Sequence, residues 1–404
     1  MYKFPLTFSS ITSKEKKSVN KILQSGNFTM GKKVEEFEKK FASWIGSKYS
    51  VMVNSGSSAN LLVIESLLRG QRKKKYLKPG DEIIVPALTW PTTIWPIVQL
   101  GLVPVFVDSN KNDLSIDFDK AEAAVTKKTK AVFMIHVLGN CSDIKKAKKF
   151  CDKFNLILLE DCCESLGSHY KKKHIGNFGL AGTFSFYFAH HICSIEGGAI
   201  CTNDKGLADD LRSFRAHGWI RNRSDKSKYI SKNKSLDDKF LFVTTGYNVR
   251  PTEINAAMAL EQLKRLNFYL NKRDSVVKTI SKILSHFSDL EIIGLNKLNR
   301  EKNSKENRNH SWMNLPLYYK KKSKVKFKNI LKIFKKNGIE TRSIIAGNMI
   351  YHPVMKKLKY KIGNNLKVSD EMFKYGFMIG CHPNINSEAI KSLKKAVFEC
   401  QKIK

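Results

Sequence analysis

Two carboxylates stand at the end of a short apolar run near the middle of the 404-residue chain. Residues 156–159 have the composition of a buried parallel strand, and Glu160 and Asp161 come at its carboxyl end. Because ligands of open α/β sheets bind beyond the carboxyl ends of the strands, we expect Asp161 to face a ligand. A carboxylate there suits a pyridine nitrogen, which it keeps protonated so that the ring can accept electrons.

Small and aromatic residues earlier in the chain supply further parts of such a site. Gly56 and Ser57 open a predicted helix, where free N–H groups and the helix dipole favour a phosphate. An ordinary helix cap is the alternative interpretation. Trp90 follows the predicted strand at residues 83–85, and its side chain can stack on a flat ring or fill a core or interface position.

Two basic side chains are candidates for substrate contacts. His136 lies near the end of another predicted strand, where it is either a substrate contact or a hydrogen-bonded core histidine. Arg342 lies in a predicted strand near the C-terminus, and its planar guanidinium suits a carboxylate or phosphate. We therefore predict that Arg342 binds the substrate or an amino donor.

The segment SFYFAHHICSIEGG, residues 185–198, carries a family resemblance. It is similar to the pattern SFxxxKxxxxxEGG of the DegT/DnrJ/EryC1/StrS sugar aminotransferases, in which the lysine holds pyridoxal phosphate (PLP) as a Schiff base. In this chain His190 stands at the position of that lysine. With the EDxxE motif at residues 160–164 and GYNVRP at residues 246–251, the resemblance extends over about residues 28–383.

A histidine at this position resembles the sugar 3-dehydratases of the family, which remove a hydroxyl group instead of adding an amine. Histidine forms no stable Schiff base, so the resemblance implies that PLP or pyridoxamine phosphate (PMP) is held non-covalently and that His190 moves protons. The expected substrate is a nucleotide-diphosphate 4-keto-6-deoxy sugar, with GDP-4-keto-6-deoxymannose the first candidate. L-glutamate is the expected amino donor that restores PMP.

The resemblance also assigns the remaining site residues. Glu164 stands where the family usually has a Gln near the phenolic oxygen of the cofactor, and Ser185 fits the phosphate site. Asn248 matches the residue that reaches the cofactor phosphate of the neighbouring subunit, which implies a homodimer with a shared active site. Further substrate contacts are expected from Thr29, Gly31, His217 and Arg221.

The positions of the eight cysteines separate two types of dehydratase. Relatives with the same histidine that use an iron–sulfur cluster carry a clustered set of cysteine ligands downstream of an HGW segment. This chain has no cysteine between residues 202 and 380 and no Cys-x-x-Cys pair. We therefore expect neither an iron–sulfur cluster nor another metal.

Charge and hydropathy limit the partners and the location. The formal net charge of +36 permits nucleic-acid binding. However, the lysines spread along the whole chain without a recognition motif, so we favour a lysine-rich solvated surface and no specific nucleic acid. The sequence contains no run of about 18 apolar residues, so we expect no membrane insertion. The N-terminus lacks the apolar region of a signal peptide, which favours a cytoplasmic protein.

Alternating strand and helix patterns predict an α/β fold with a mostly parallel sheet. The resemblance implies the aspartate-aminotransferase-like fold of PLP enzymes, known as fold type I. Residues 1–285 would form the large PLP-binding domain with an N-terminal arm, and residues 286–404 a small α+β domain. We expect one long helix over residues 252–287 and a polar loop at residues 296–309.

Other functions stay open at this point. One is an aminotransferase that uses another lysine, such as those at residues 171–173, although nothing in the sequence places them at the ring. Another is a non-catalytic regulator that binds the cofactor, which the retained Asp161, Glu164, Ser185 and Asn248 disfavour. A nucleic-acid-binding protein rests on charge alone.

Overall fold

An eight-stranded sheet forms the centre of the computed structural model, which describes residues 2–71, 76–295, 308–320 and 325–403. In spatial order its strands are β1 (Tyr49–Val53), β9 (Gly198–Thr202), β8 (Ala181–Ser185), β5 (Ile157–Asp161), β4 (Thr129–Ile135), β2 (Glu82–Pro86), β3 (Val103–Val107) and β13 (Lys361–Ile362). Within this sheet, β9 runs in the direction opposite to the other seven strands. The predicted mostly parallel sheet is therefore confirmed.

Two small antiparallel sheets complete the described strands. One consists of β10 (Leu290–Ile292), β12 (Asn314–Tyr319) and β14 (Gly376–Gly380). The other joins the hairpin of β6 (His169–Tyr170) and β7 (Lys173–His174) to β11 (Arg308–Asn309). The first belongs to the C-terminal part of the chain, as expected for the small α+β domain.

The described residues form twelve α-helices, some of which pack on the two faces of the large sheet and others in the C-terminal part of the chain. They are α1 (Ser13–Ser25), α2 (Lys32–Ile45), α3 (Gly56–Arg69), α4 (Pro91–Gln99), α5 (Ile144–Phe154), α6 (Lys205–Arg215), α7 (Lys226–Ile230), α8 (Glu253–Leu263), α9 (Leu266–Leu284), α10 (Phe327–Lys336), α11 (Lys367–Tyr375) and α12 (Ser387–Lys402). Among the described residues, no helix combines the length and the apolar character needed to cross a bilayer.

Alternation along the strands sorts the core into two layers. Successive side chains of a strand point to opposite faces. Ile84 of β2 packs in one cluster with Phe37 of α2, whereas its neighbour Ile83 packs in another with Leu62 of α3 and Ile94 of α4. The sheet is thus buried on both sides, and its carboxyl edge is left to bind ligands.

The expectation of one helix over residues 252–287 is wrong. The chain forms α8 and α9, with a turn at Lys264 and Arg265 between them. Helix α8 packs on α1 and α2, whereas α9 packs on α12. Arg265 turns towards α1, where its guanidinium pairs with Glu15. Because the two halves have different packing partners, the helix axis must change direction, although no Gly or Pro marks the turn.

The domain boundary at residue 285 stays a prediction. Helix α9 ends at Leu284, close to that boundary. Two segments nevertheless cross it, since Phe4 packs in the core of the C-terminal part beside Phe334, and β13 pairs with β3 of the large sheet. The polar loop predicted at residues 296–309 lies almost entirely outside the described residues.

Candidate functional site

A cavity of about 390 Å³ lies at the carboxyl ends of β5 and β8, bounded by the first turns of α3 and α4 and by the C-terminal part of the chain. Eight of the residues predicted from the sequence line it: Gly56, Ser57, Trp90, Asp161, Glu164, Ser185, His190 and Arg342. Six others do not: Thr29, Gly31, His136, His217, Arg221 and Asn248. The cavity brings together residues from distant parts of the chain, so the candidate site is a product of the fold.

Asp161 is a rigidly held acceptor at the floor of this cavity. The residue is 2% exposed. Its Oδ2 accepts hydrogen bonds from Asn60 Nδ2 and Thr93 Oγ1, both at 2.8 Å, and its Oδ1 accepts one from Cys163 N at 3.1 Å. These three donors fix the orientation of the carboxylate group. Such a group can hold the protonated nitrogen of a pyridine ring.

Sequence reasoning missed the residues that hold Asp161. Thr183 Oγ1 donates to Asn60 Oδ1 at 2.6 Å, which turns the Asn60 amide nitrogen towards Asp161. Asn60 lies four residues after Gly56 on α3, and Thr93 lies three residues after Trp90 near the start of α4. These spacings place each polar residue on the same helix face as a predicted site residue, a signal that could have identified them.

The start of α3 meets β8 at the edge of the cavity. Ser55 caps the helix, since its side chain accepts from Ser58 N at 3.1 Å. A Cβ added at Gly56 would lie 2.7 Å from Ser185 Cβ and 2.8 Å from Cys163 Sγ, so only glycine allows the helix to approach β8 this closely. The N-terminal backbone of α3 and the Ser185 hydroxyl together provide donors suited to a phosphate.

Trp90 lies at the mouth of the cavity. It immediately precedes Pro91, the first residue of α4. The residue is 49% exposed, which excludes the core position considered as an alternative within this chain. Its ring is therefore free to stack on a flat ligand in the cavity.

His190 presents an unpaired ring nitrogen. The backbone N–H of His190 donates to Tyr187 O at 2.9 Å, and the rings of His190 and Tyr187 meet edge to face with centroids 5.8 Å apart. Nδ1 has no hydrogen-bond partner. Burial, followed by the positive charge of Arg273, lowers the pKa of His190 to about 4. The imidazole is thus neutral near pH 7 and able to accept a proton. Its neighbour His191 is buried, with Nε2 3.2 Å from Ser311 O, and belongs to the core.

Glu164 lies in the same cavity but in a different electrostatic environment from Asp161. Burial raises the pKa of Glu164 to about 7, the Asp161 carboxylate adds to the increase, and the hydrogen bond from Leu138 N opposes it. That hydrogen bond, to Oε2, is 2.9 Å long. Near neutral pH Glu164 therefore exists partly as a carboxylic acid, which can donate a hydrogen bond to a phenolic oxygen.

Arg342 contributes a cation from the C-terminal part of the chain. Its backbone pairs with that of Met378 at the edge of the small sheet, which directs the segment along the cavity. The side chain is largely exposed, and its Nη2 lies 3.2 Å from Glu340 Oε1. An exposed ion pair of this kind is weak, so the guanidinium can turn to a substrate carboxylate or phosphate.

His136 occupies the core, which supports the second of its two interpretations. It is completely buried, its Nε2 lies 3.2 Å from Glu160 Oε2, and its Nδ1 accepts from Ser142 N at 3.2 Å. The backbone N–H groups of Gly176, Phe178 and Gly179 also donate to Glu160. Both histidine nitrogens are therefore engaged within the chain, and a substrate contact by His136 is not supported.

The remaining five predicted residues lie at the surface. Gly31 and Arg221 line a separate cleft of about 500 Å³, together with Arg212, Arg215 and Arg223. Thr29, His217 and Asn248 are exposed. The Asn248 side chain accepts a hydrogen bond from Arg250 Nε at 3.0 Å. Their roles in binding substrate or a neighbouring cofactor stay predictions.

The cavity has the donor set that PLP requires. Asp161 offers a carboxylate for the pyridine nitrogen, Trp90 an aromatic face, and the start of α3 with Ser185 a phosphate seat. The unpaired Nδ1 of His190 supplies a free polar atom in the same cavity. Among the described residues that line the cavity, none is a lysine.

Comparison with known proteins identifies the family. The profile of the DegT/DnrJ/EryC1/StrS aminotransferase family matches residues 9–398. This chain therefore belongs to that family. It is 39% identical to the GDP-4-keto-6-deoxy-D-mannose 3-dehydratase of Yersinia pseudotuberculosis over 397 residues, which cover 97% of this chain and 98% of that protein.

Solved structures of such dehydratases match the whole fold. The Escherichia coli GDP-4-keto-6-deoxy-D-mannose-3-dehydratase with bound hydrated PLP superposes with a TM-score of 0.90 at 37% identity, covering 98% of this chain and 100% of that one. A GDP-4-keto-6-deoxymannose-3-dehydratase with a trapped PLP-glutamate geminal diamine has a TM-score of 0.88 at 36% identity, with the same coverage. The predicted fold type I architecture is thereby confirmed.

Proposed function

We propose that this chain is a PLP/PMP-dependent 3-dehydratase of GDP-4-keto-6-deoxymannose, with glutamate as amino donor, acting in the cytoplasm as a homodimer. The observation that carries the proposal is His190, a neutral histidine with a free ring nitrogen in a cavity otherwise equipped for PLP. The names of the similar proteins supply the substrate, and the glutamate adduct in one of their structures supports the amino donor.

Different residues of this chain have separate roles in the proposed reaction. When bound, the cofactor supplies a ring that accepts electrons from the substrate. Asp161 holds the ring nitrogen in its protonated form, and Trp90 covers one face of the site. The neutral Nδ1 of His190 accepts a proton. Once protonated, it is a strong acid because of its low pKa, which suits donation to the hydroxyl leaving carbon 3 of the sugar.

Charge contributes to the capture of both substrates. The chain carries a formal net charge of +36, which attracts a nucleotide diphosphate over distances set by the ionic strength. Within the cavity, Arg342 is the cation that we assign to the carboxylate of glutamate or to a phosphate of the sugar nucleotide. Glutamate and sugar would then use the same site in turn.

Product mass spectrometry tests the proposed function. The purified enzyme is incubated with PLP, glutamate and a panel of GDP-, CDP-, UDP- and dTDP-linked 4-keto-6-deoxy sugars. We expect a product that lacks one oxygen, together with 2-oxoglutarate, from the GDP-linked sugar. A product with an amine in place of the keto oxygen would instead identify a sugar aminotransferase and remove the role assigned to His190.

Borohydride reduction tests the mode of cofactor binding. Because no lysine lines the described part of the cavity, reduction of the resting enzyme should attach no pyridoxyl group to the protein. Peptide mass spectrometry of the reduced enzyme reads this directly. A pyridoxyl-lysine at any position would contradict non-covalent binding and would revive the interpretation in which another lysine serves as the anchor.

A further inference from the structure

A buried arginine without a carboxylate partner lies near the candidate proton-transfer residue. Arg273 on α9 is 3% exposed, and no described carboxylate forms an ion pair with it. By contrast, the equally buried Arg215 and Arg223 pair with Glu38 at 2.6 Å and Asp210 at 3.0 Å. A buried charge is unfavourable unless other groups compensate it, so the retention of one at residue 273 calls for an explanation.

Backbone carbonyls take the place of the missing carboxylate. Arg273 Nη1 donates to Trp312 O at 3.0 Å and to Met313 O at 2.9 Å, while its Nε has no partner. The thiol of Cys381 is also close, but burial raises the pKa of that thiol to about 11, so it stays neutral. The positive charge of Arg273 therefore persists in the core and acts on its surroundings.

The carbonyls that Arg273 binds belong to the wall of the cavity. Met313 lines the cavity directly. Trp312 adopts a left-handed backbone conformation, with φ of 50°, which is uncommon for a bulky residue and needs support from its neighbours. One residue earlier, Ser311 O is the partner of His191 Nε2 at 3.2 Å. The two hydrogen bonds from Arg273 thus hold the segment against which His191, and with it His190, is packed.

The charged and titratable groups around His190 come from several elements. Asp161, Glu164, Glu196 and Arg342 line the same cavity, together with the hydroxyl of Tyr187 and the thiol of Cys163. Burial is the main cause of the low pKa of His190, and the positive charge of Arg273 lowers it further. The same charge also lowers the pKa of His191 and of His382. The charge of Arg273 therefore acts on three neutral histidines.

We propose that Arg273 is a positioning residue for His190, acting through the Ser311–Met313 wall and through its buried positive charge. The proposal rests on the proposed function only in assuming that the ring nitrogen of His190 transfers a proton. A geometric and an electrostatic effect can be separated, because lysine retains the charge without the planar fork, and glutamine retains one donor without the charge.

Histidine NMR titration of the intact holoenzyme tests the proposal without turnover. Histidine-labelled wild type, Arg273→Gln and Arg273→Lys are compared, and His190→Asn assigns the resonance. We expect Arg273→Gln to raise the pKa of His190 by about one unit and Arg273→Lys to leave it close to the wild-type value. A titration of Arg273→Gln that superimposes on the wild type would overturn the electrostatic part of the proposal. The geometric part predicts a lower kcat for Arg273→Lys in a separate assay with substrate, and a wild-type kcat of that variant would overturn it.

A matched control separates positioning from general destabilisation. Arg265 begins the same helix and pairs with Glu15, remote from the cavity lining. Arg265→Gln should lower the free energy of unfolding without moving the titration of His190. With substrate, Arg273→Gln should move the acidic limb of kcat upward by the same unit while KM changes little. Equal shifts in both variants would show a merely structural role. If Arg273→Gln does not fold, Arg273→Met provides the neutral variant.

Discussion

Asp161 and Glu164 are three residues apart, yet they meet different surroundings. Three hydrogen-bond donors fix the orientation of Asp161, whereas Glu164 has one donor and burial raises its pKa to about 7. Burial also lowers the pKa of His190, which keeps that side chain neutral. An acid and a neutral base in one cavity can act at the same pH, which is typical of a catalytic site.

Replacement of His190 by asparagine tests the proton-transfer role. Asparagine keeps a polar side chain but cannot take up a proton, so we expect kcat for dehydration to fall by at least about 100-fold. PLP binding, followed by absorbance, should stay within a few-fold of the wild type because Asp161 and Ser185 are unchanged. The variant His191→Asn serves as a control for packing changes. Retention of most of the activity by His190→Asn would exclude this residue as the base.

The raised pKa of Glu164 leads us to expect that the free energy of unfolding decreases as the pH rises. Its pKa in the folded chain is about 7, above the ordinary value of 4.5, so the unfolded chain releases the proton first as the pH rises. The contribution of Glu164 to the free energy of unfolding is therefore greatest below pH 4.5. It falls by about 3 kcal/mol between about pH 4.5 and 7. Urea unfolding of the cofactor-free protein at pH 5 and pH 8 should show this loss.

The variant Glu164→Gln provides the comparison. Glutamine has nearly the same shape but no titrating group, so the difference in the free energy of unfolding between pH 5 and pH 8 should shrink relative to the wild type. An identical difference in both proteins would assign the pH dependence to other groups. Because the glutamine amide still donates a hydrogen bond, this variant should not abolish cofactor binding.

At the scale of elements, the site is built where secondary structures begin or end. Helices α3 and α4 start at the cavity, and strands β5 and β8 finish there. The helix starts offer unpaired N–H groups, and the strand ends present side chains at the edge of the sheet. The large sheet therefore holds the candidate cofactor-binding groups in fixed relative positions, which loops alone could not do as rigidly.

Gly56→Ala tests the close contact between α3 and β8. The added methyl group would lie 2.7 Å from Ser185 Cβ, so the helix start must move away from the strand. We expect the affinity for PLP to fall by about tenfold or more, which corresponds to about 1.4 kcal/mol. Ser58→Ala in the same turn adds no atoms and provides the control. Equal affinities of Gly56→Ala and the wild type in an absorbance titration would contradict a phosphate seat at this contact.

At the scale of the whole molecule, the predicted site residues fall into two groups. One group lines the cavity, and the other, which includes Asn248 and Arg221, lies on the surface outside it. Exposed residues with a predicted role in the site fit a dimer in which each protomer completes the cavity of its partner. That arrangement remains a proposal, and it has a direct genetic test.

Mixed dimers of two inactive variants should recover activity. If Asn248 serves the neighbouring site, a dimer of one His190→Asn protomer and one Asn248→Ala protomer contains one doubly altered site and one wild-type site. Co-expression with two different affinity tags isolates this dimer, whose kcat per dimer should approach half of the wild-type value. A mixed dimer no more active than its parents would show that each protomer uses its own Asn248.

Sequence patterns were enough to predict the parts of the site that depend on neighbouring residues in the chain. The carboxylate at the end of β5, the glycine and serine at the start of α3 and the histidine after β8 each lie within a few residues of the element that presents them. Local composition predicts such strand ends and helix starts, because periodicity and capping are short-range properties. The α/β class followed from the same patterns.

Only the tertiary structure decided which of these groups are buried, paired or charged. Asn60 and Thr93 look like ordinary helix residues until packing brings them to Asp161, which is 101 residues from Asn60 in the chain. The burial of His136, the break between α8 and α9 and the contact of Arg273 with Trp312 likewise depend on distant segments. Desolvation and hydrogen bonding are properties of the packed environment, so a pKa and the chemistry it permits become readable only after folding.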